Sequence, residues 1–124
     1  MKAILDFEKF NVEDNTTFYR YNIDGNFVWF NQHHDGEIYY AYVKLKSPYC
    51  DYADMYIDTE EYFYPVRARI SIKNRMLEHL EDVDVYIEVL EYLKELYDAV
   101  LEIFDTEGIH YKLHKAGEAE DEQN

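Results

Sequence analysis

Residues 82–104 contain no Gly, Pro, Ser or Asn, the residues that break a helix or compete with it. Asp82 is placed to cap such a helix and Gly108 to end it. At about 1.5 Å per residue the element is roughly 35 Å long, as long as a small domain is wide. On a helical wheel Asp84, Glu88, Glu91, Glu95, Asp98, Glu102 and Asp105 recur at alternating spacings of 4 and 3. At 100° per residue they share an arc of about 100°. Apolar and Tyr side chains fill most of the remaining circumference, among them Val85, Val89, Leu93, Leu96, Val100 and Phe104. That arc is wider than one sheet face covers, so the pattern predicts either a curved sheet cradling the helix or a second chain against part of it.

The rest of the chain supplies the cover. Asp24-Gly25 separates two aromatic and β-branched runs at 17–23 and 26–32, and Asp35-Gly36 separates 27–33 from 37–46. Asp-Gly between such runs marks a two-residue hairpin, because the turn needs positive φ. Residues 4–10 add a neighbouring strand. The turn-rich segment 47–64 holds a short strand at 55–59. In 66–75, Val66, Ala68, Ile70 and Ile72 alternate with Arg67, Arg69, Ser71 and Lys73, the period of a strand. Residues 76–80 can turn helical, and 109–113 can return to the sheet. The fold class expected is α+β: an antiparallel β-meander of about 5–6 strands packed on one long C-terminal amphipathic helix. It forms a single domain over 1–115, with 116–124 a disordered acidic tail.

Composition then narrows function. The chain has 124 residues, 27 acids against 12 Lys and Arg, and a net charge of −15. Its 14 tyrosines exclude a mainly disordered acidic chain. The charge argues against direct nucleic-acid binding by the surface as a whole and against anionic membranes. Of the −15, −10 falls within 77–107, so the charge is concentrated on and around the helix. No run approaches the roughly 20 apolar residues of a membrane span, and residues 1–6 lack a signal-peptide core. Cys50 is the single cysteine, so no intrachain disulfide can form. Asp51 beside it disfavours a thiolate nucleophile. A cytoplasmic location is expected, the host cytoplasm if the protein is phage-encoded.

The acidic row costs stability. Six neighbouring like-charge pairs at roughly 0.2–0.5 kcal/mol each oppose the helix before screening. Glu102 and Asp105 also sit at the negative end of the helix dipole. Lys94 is the single base between Asp82 and Asp105. A solvated face normally mixes signs. Carboxylates recurring every 3.5 residues on average rise about 5 Å per step, comparable to the spacing of phosphates along one strand within the slack of flexible side chains. Such a row can occupy a groove built for a nucleic-acid backbone.

Two further segments qualify as contacts. Arg67, Arg69, Lys73 and Arg75 form the one basic cluster. They either pair with acids of the same chain, bind phosphate, or meet the acidic helix of a second copy in a homodimer. Between 49 and 64, tyrosines alternate with carboxylates, with Asp51, Tyr52, Asp54, Tyr56 and Asp58 at the centre. This suits a basic partner surface; otherwise it is the aromatic outer face of a small sheet.

Motifs for chemistry fail. Residues 51–58 lack the ligands and central Gly of an EF-hand. His33-His34-Asp35 and His110-x-x-x-His114 read as surface histidines rather than a metal site. No phosphate-loop, dinucleotide or nucleophile-elbow motif is present. No enzyme activity, cofactor or metal is expected. In composition and helix pattern the chain resembles the small acidic inhibitors that phages and mobile elements direct against host nucleases and restriction or CRISPR systems. That resemblance implies a non-enzymatic DNA mimic of anti-restriction or anti-CRISPR class, blocking the basic groove of a nucleic-acid-binding protein. The alternative is a self-associating structural or assembly protein whose acidic face is only solvated.

Overall fold

Asp24 and Gly25 both take positive φ, 54° and 87°, the conformation a two-residue hairpin turn with right-handed strand twist demands. They join β2 (Thr16–Ile23) to β3 (Asn26–His33) in full antiparallel register, from Ile23 opposite Asn26 to Thr16 opposite His33. The computed structural model describes residues 1–33, 40–58, 65–73, 82–108 and 112–113. In it β1 (Ala3–Asn11) pairs with β2, with a bulge between Leu5 and Phe7, and β4 (Tyr40–Lys44) pairs with β3. The register Val28 to Val43 is the one a turn at Asp35-Gly36 would give; that dipeptide lies outside the described residues. A short helix, α1 (Tyr49–Tyr52), leads into β5 (Ala53–Asp58), which pairs antiparallel with β6 (Pro65–Ile72). α2 (Val83–Thr106) follows, and β7 (Lys112–Leu113) lies parallel to the start of β6.

The strands stand in sequence order from β1 to β7, so the sheet is a meander with a parallel strand added at the far edge. This is the α+β class with one long helix that the sequence predicts, and the strand expected at 109–113 is present in its last two residues. Some boundaries differ. β4 ends at Lys44 rather than 46, β5 begins at Ala53 rather than 55 and is preceded by α1, and β6 ends at Ile72 rather than 75. The helical turn at 49–52 was hidden because four residues are too few for a periodicity. Residues 74–81, where a helical continuation is expected, and the acidic tail 116–124 lie outside the described residues.

Strand alternation sends one set of side chains under α2. Ile23, Val28, Ala41, Ile57, Leu93, Leu96, Val100 and Phe104 are fully buried there, a dry and mostly aliphatic layer. At about 25 cal/mol per Å² of apolar surface, each large side chain of that layer contributes roughly 2–3 kcal/mol. Tyr19, Tyr21 and Phe30 extend it toward the C-terminal half of α2, where the Phe30 ring meets Phe104 edge-on at 5.8 Å. The wide apolar arc of the helix is thus mostly covered within the chain. What stays open lies at its first turns, Val83 and Ile87.

Candidate acidic interface

Specific contacts at its termini and along its inner face set the helix in place. Asp82 accepts a hydrogen bond from the Val85 N–H at 3.3 Å, and Gly108, at φ 69°, ends the last turn. Near the first half of α2, the Tyr92 hydroxyl donates to Asp24 Oδ2 at 2.7 Å and accepts from Asn26 Nδ2 at 2.8 Å. Lys46 Nζ pairs with the same Asp24 oxygen at 3.0 Å, and the Tyr49 ring stacks on Tyr92 with centroids 3.8 Å apart. The bond from Tyr92 and that from Lys46 hold the Asp24 carboxyl below its ordinary pKa. Asn26, fully buried, uses its amide twice more, donating to the Ile23 carbonyl and accepting from the Lys46 N–H. Asn26 therefore fastens the hairpin, the approach to α1 and the helix together.

At the other end the Tyr21 hydroxyl donates to Glu107 Oε1 at 2.8 Å, and the Gln32 amide donates to the Glu107 carbonyl at 2.8 Å. Burial, then the bond to Glu107, pushes the Tyr21 phenol well up. Burial, then the Glu107 charge, raises Tyr19 to about 12. α2 is thus tied to the β2–β3 hairpin by specific polar contacts at Tyr92 and just past its C-terminus, and by packing between them.

Against that fixed helix the predicted stripe is fully displayed. Asp84, Glu88, Glu91, Glu95, Asp98, Glu102 and Asp105 are all exposed. Lys94 pairs with Asp98 one turn on. Along one edge of the stripe run Val83 and Ile87, 60% and 45% exposed, followed by half-buried Leu90 and Leu101.

The tyrosine–carboxylate segment does not form one surface with the stripe. Asp51 is exposed on α1, near the helix through the Tyr49–Tyr92 stack, and Tyr52 packs half-buried against the core. Asp54 and Tyr56 alternate with buried Ala53, Met55 and Ile57, which places them on the sheet face turned away from α2. Asp58 holds the same register two residues on. A flat partner reaches the stripe, or the outer sheet face with Asp54 and Tyr56, but not both.

Part of the basic row pairs internally. Lys73 Nζ donates to the Cys50 carbonyl at 2.7 Å and lies 3.5 Å from Asp54. Arg67 stands directly opposite Asp58 and Arg69 opposite Tyr56, whereas Arg75, His34, His110 and His114 lie outside the described residues. Among the described residues no group of His, Cys, Asp and Glu is arranged to hold a metal ion, and no helix is long and apolar enough to cross a membrane.

Two features escaped the sequence reading. The first is β1, which is exposed on both faces beyond Ala3, with Ile4, Leu5, Phe7 and Phe10 open and Val12 beyond them. The second is the reach of the aromatic outer face, expected as one reading of 49–64 alone: half-buried Phe18, Trp29 and Tyr42 extend it from Tyr56 across β4, β3 and β2. The alternation in 26–33 carried that signal, since Phe27, Trp29 and Asn31 fall on the face opposite Val28 and Phe30.

No protein-family model, curated protein or solved structure matches the chain.

Proposed function

We propose that the protein is a non-enzymatic acidic inhibitor, a DNA mimic of the phage or mobile-element type. In this reading the exposed face of α2 enters the basic groove of a host nucleic-acid-binding defence protein. One observation supports it above the others: all seven carboxylates of the stripe are exposed on one face of a helix whose opposite face is buried. A rigid row of like charges is pre-organised for a cationic groove, so little ordering entropy is lost on docking. The driving force is charge pairing and release of the counterions that either surface holds when free. Val83 and Ile87 at the edge of the stripe add apolar contact of a kind a solvated face does not need.

The test is a pull-down with immobilised protein from the heparin-retained fraction of a bacterial lysate, repeated between about 50 and 200 mM salt. A captured nucleic-acid-binding protein, lost as salt rises and displaced by DNA, is the expected result. Reversing Glu91, Glu95 and Asp98 to Lys abolishes capture while circular dichroism stays unchanged. If the triple reversal captures the same partner equally well, the mimic reading is wrong.

A second reading, self-association as a structural or assembly protein, is favoured by the exposed apolar side chains of β1. It relocates the contact from the apolar arc of the helix to the sheet edge. Its salt dependence has the opposite sign, because two copies of net charge −15 repel and salt relieves that repulsion. Light scattering as a function of salt separates the two readings.

A further inference from the structure

The sheet face turned away from α2 carries a single rung of directly paired residues. Phe7, Arg20, Trp29, Tyr42, Tyr56 and Arg69 stand opposite one another in successive strands from β1 to β6. Three aromatic rings fill its middle. Trp29 and Tyr42 lie 4.7 Å apart, and Tyr42 meets Tyr56 edge-on at 5.8 Å. Arg20 and the Arg69 position flank those three rings, and Phe7 ends the row on β1. Above Trp29 and Tyr42 opens a concavity of about 780 Å³ whose wall also includes Phe18, Asn31 and Lys44.

Charge on this face runs against the charge of the molecule. Lys9 is placed here opposite Phe18 and Lys44 opposite Phe27, and in the register of β5 and β6 the Arg67 position stands opposite that of Asp58. Two of its acids are engaged: Asp6 by Arg20 at 2.9 Å and Asp54 by Lys73 at 3.5 Å. The acidic stripe lies beyond both the sheet and the roughly 10 Å thickness of the helix, farther than the screening length of about 8 Å at physiological ionic strength.

We infer that this face binds single-stranded nucleic acid, a few nucleotides long, with bases stacked on Trp29, Tyr42 and Tyr56 and phosphates met by Lys9 and Lys44. Aromatic rings accept any base, because every base has a π-face, and the cations track the backbone. A duplex hides those faces, so the site selects unpaired strands. The site is separate from the mimic reading, which concerns the opposite side of the molecule.

Trp29 is the only tryptophan, so its fluorescence reports directly on the rung. The experiment titrates the full chain with oligo(dT) and oligo(U) of about 12 nucleotides, a blunt duplex, and inorganic polyphosphate. The expected result is saturable quenching by one or both single strands and none by duplex or polyphosphate. The two strands report whether the site takes DNA, RNA or both. Tyr42→Ala weakens the binding roughly tenfold or more. Tyr56→Leu, which keeps an apolar side chain on the strand, does the same with an unchanged circular dichroism spectrum. The Glu91, Glu95 and Asp98 reversal leaves binding intact or strengthens it. Absence of quenching up to about 1 mM strand, a concentration that corresponds to about −4 kcal/mol, overturns the inference. So does equal quenching by duplex or polyphosphate, or indifference to both tyrosine substitutions. None of these outcomes bears on capture of a partner by the helix.

Discussion

The two faces of the sheet come from the same alternating strands yet are built from different materials. Under α2 the layer is closed, with Ile23, Val28, Ile57, Leu93 and Leu96 fully buried beside the covered rings of Tyr19, Tyr21, Phe30 and Phe104. On the open side it is aromatic and cationic, with Trp29, Tyr42 and Tyr56 half-buried between Arg20 and the Arg69 position. Beyond the helix, in turn, lies the acidic stripe. A net charge of −15 is therefore not a property of every surface: seven of the 27 acids share the outer face of α2, whereas Lys9, Arg20 and Lys44 are placed on the open sheet face. The covered face holds the fold together, and the two outward faces are left open.

That division predicts unequal costs. Leu96 has no exposure and touches the centre of the dry layer, so Leu96→Ala removes apolar contact and leaves a cavity, at about 2–5 kcal/mol. Tyr42→Ala deletes more atoms but from a half-open site, and should cost less than Leu96→Ala in urea unfolding. Equal losses would mean that the outer face is as much a core as the inner one, and the contrast would collapse.

The tyrosines under the helix sharpen the contrast in another way. Tyr19 is raised to about 12 by burial and the Glu107 charge, and Tyr21 is raised as well. A group whose folded pKa lies above its unfolded value of about 10 holds its proton more tightly when folded. Its contribution is complete below pH 10 and is lost as pH rises toward 12. Stability should therefore be level to about pH 10 and then fall, by on the order of 2 kcal/mol for Tyr19 alone. Tyr21→Phe should flatten part of that slope in denaturation curves taken across the range. An unchanged slope would show that Tyr21 titrates as freely as a phenol in water.

Most of the fold was legible because its signals are local. Asp24-Gly25 fixed a turn, the pleat of 66–72 fixed a strand, and Asp82 and Gly108 bounded the helix. The seven stripe carboxylates were legible for the same reason, since helical spacing alone places them together. What stayed hidden depends on pairing between distant segments. Trp29, Tyr42 and Tyr56 become a row only through the registers of β3, β4 and β5. The exposure of Phe7 and Phe10 follows from β1 being an edge strand, which no residue within β1 announces. Asp51 and Asp54 are three residues apart in sequence, but the turn from α1 into β5 divides them between two sides of the sheet.

The stripe itself offers the smallest and most discriminating test. Glu95 has Glu91 and Glu88 before it and Asp98 and Glu102 after it on the same face, so it stands in four helical neighbour relations, at i−4, i−7, i+3 and i+7, with two of them close enough to repel strongly. Glu95→Lys replaces those repulsions by attractions, with Glu91 placed one turn toward the N-terminus in the favourable order. At roughly 0.2–0.5 kcal/mol for each pair lost and each pair gained, the variant should be more stable than the parent by about 1 kcal/mol at low salt. The gain should shrink toward zero as salt shortens the screening length to about 3 Å near 1 M. A variant that is more stable and binds its partner less well would place the carboxylate row among features kept for function at a cost in stability. A variant no more stable than the parent at any salt would show that the exposed carboxylates already avoid one another, and the case for a strained, purposeful stripe would lose its energetic half.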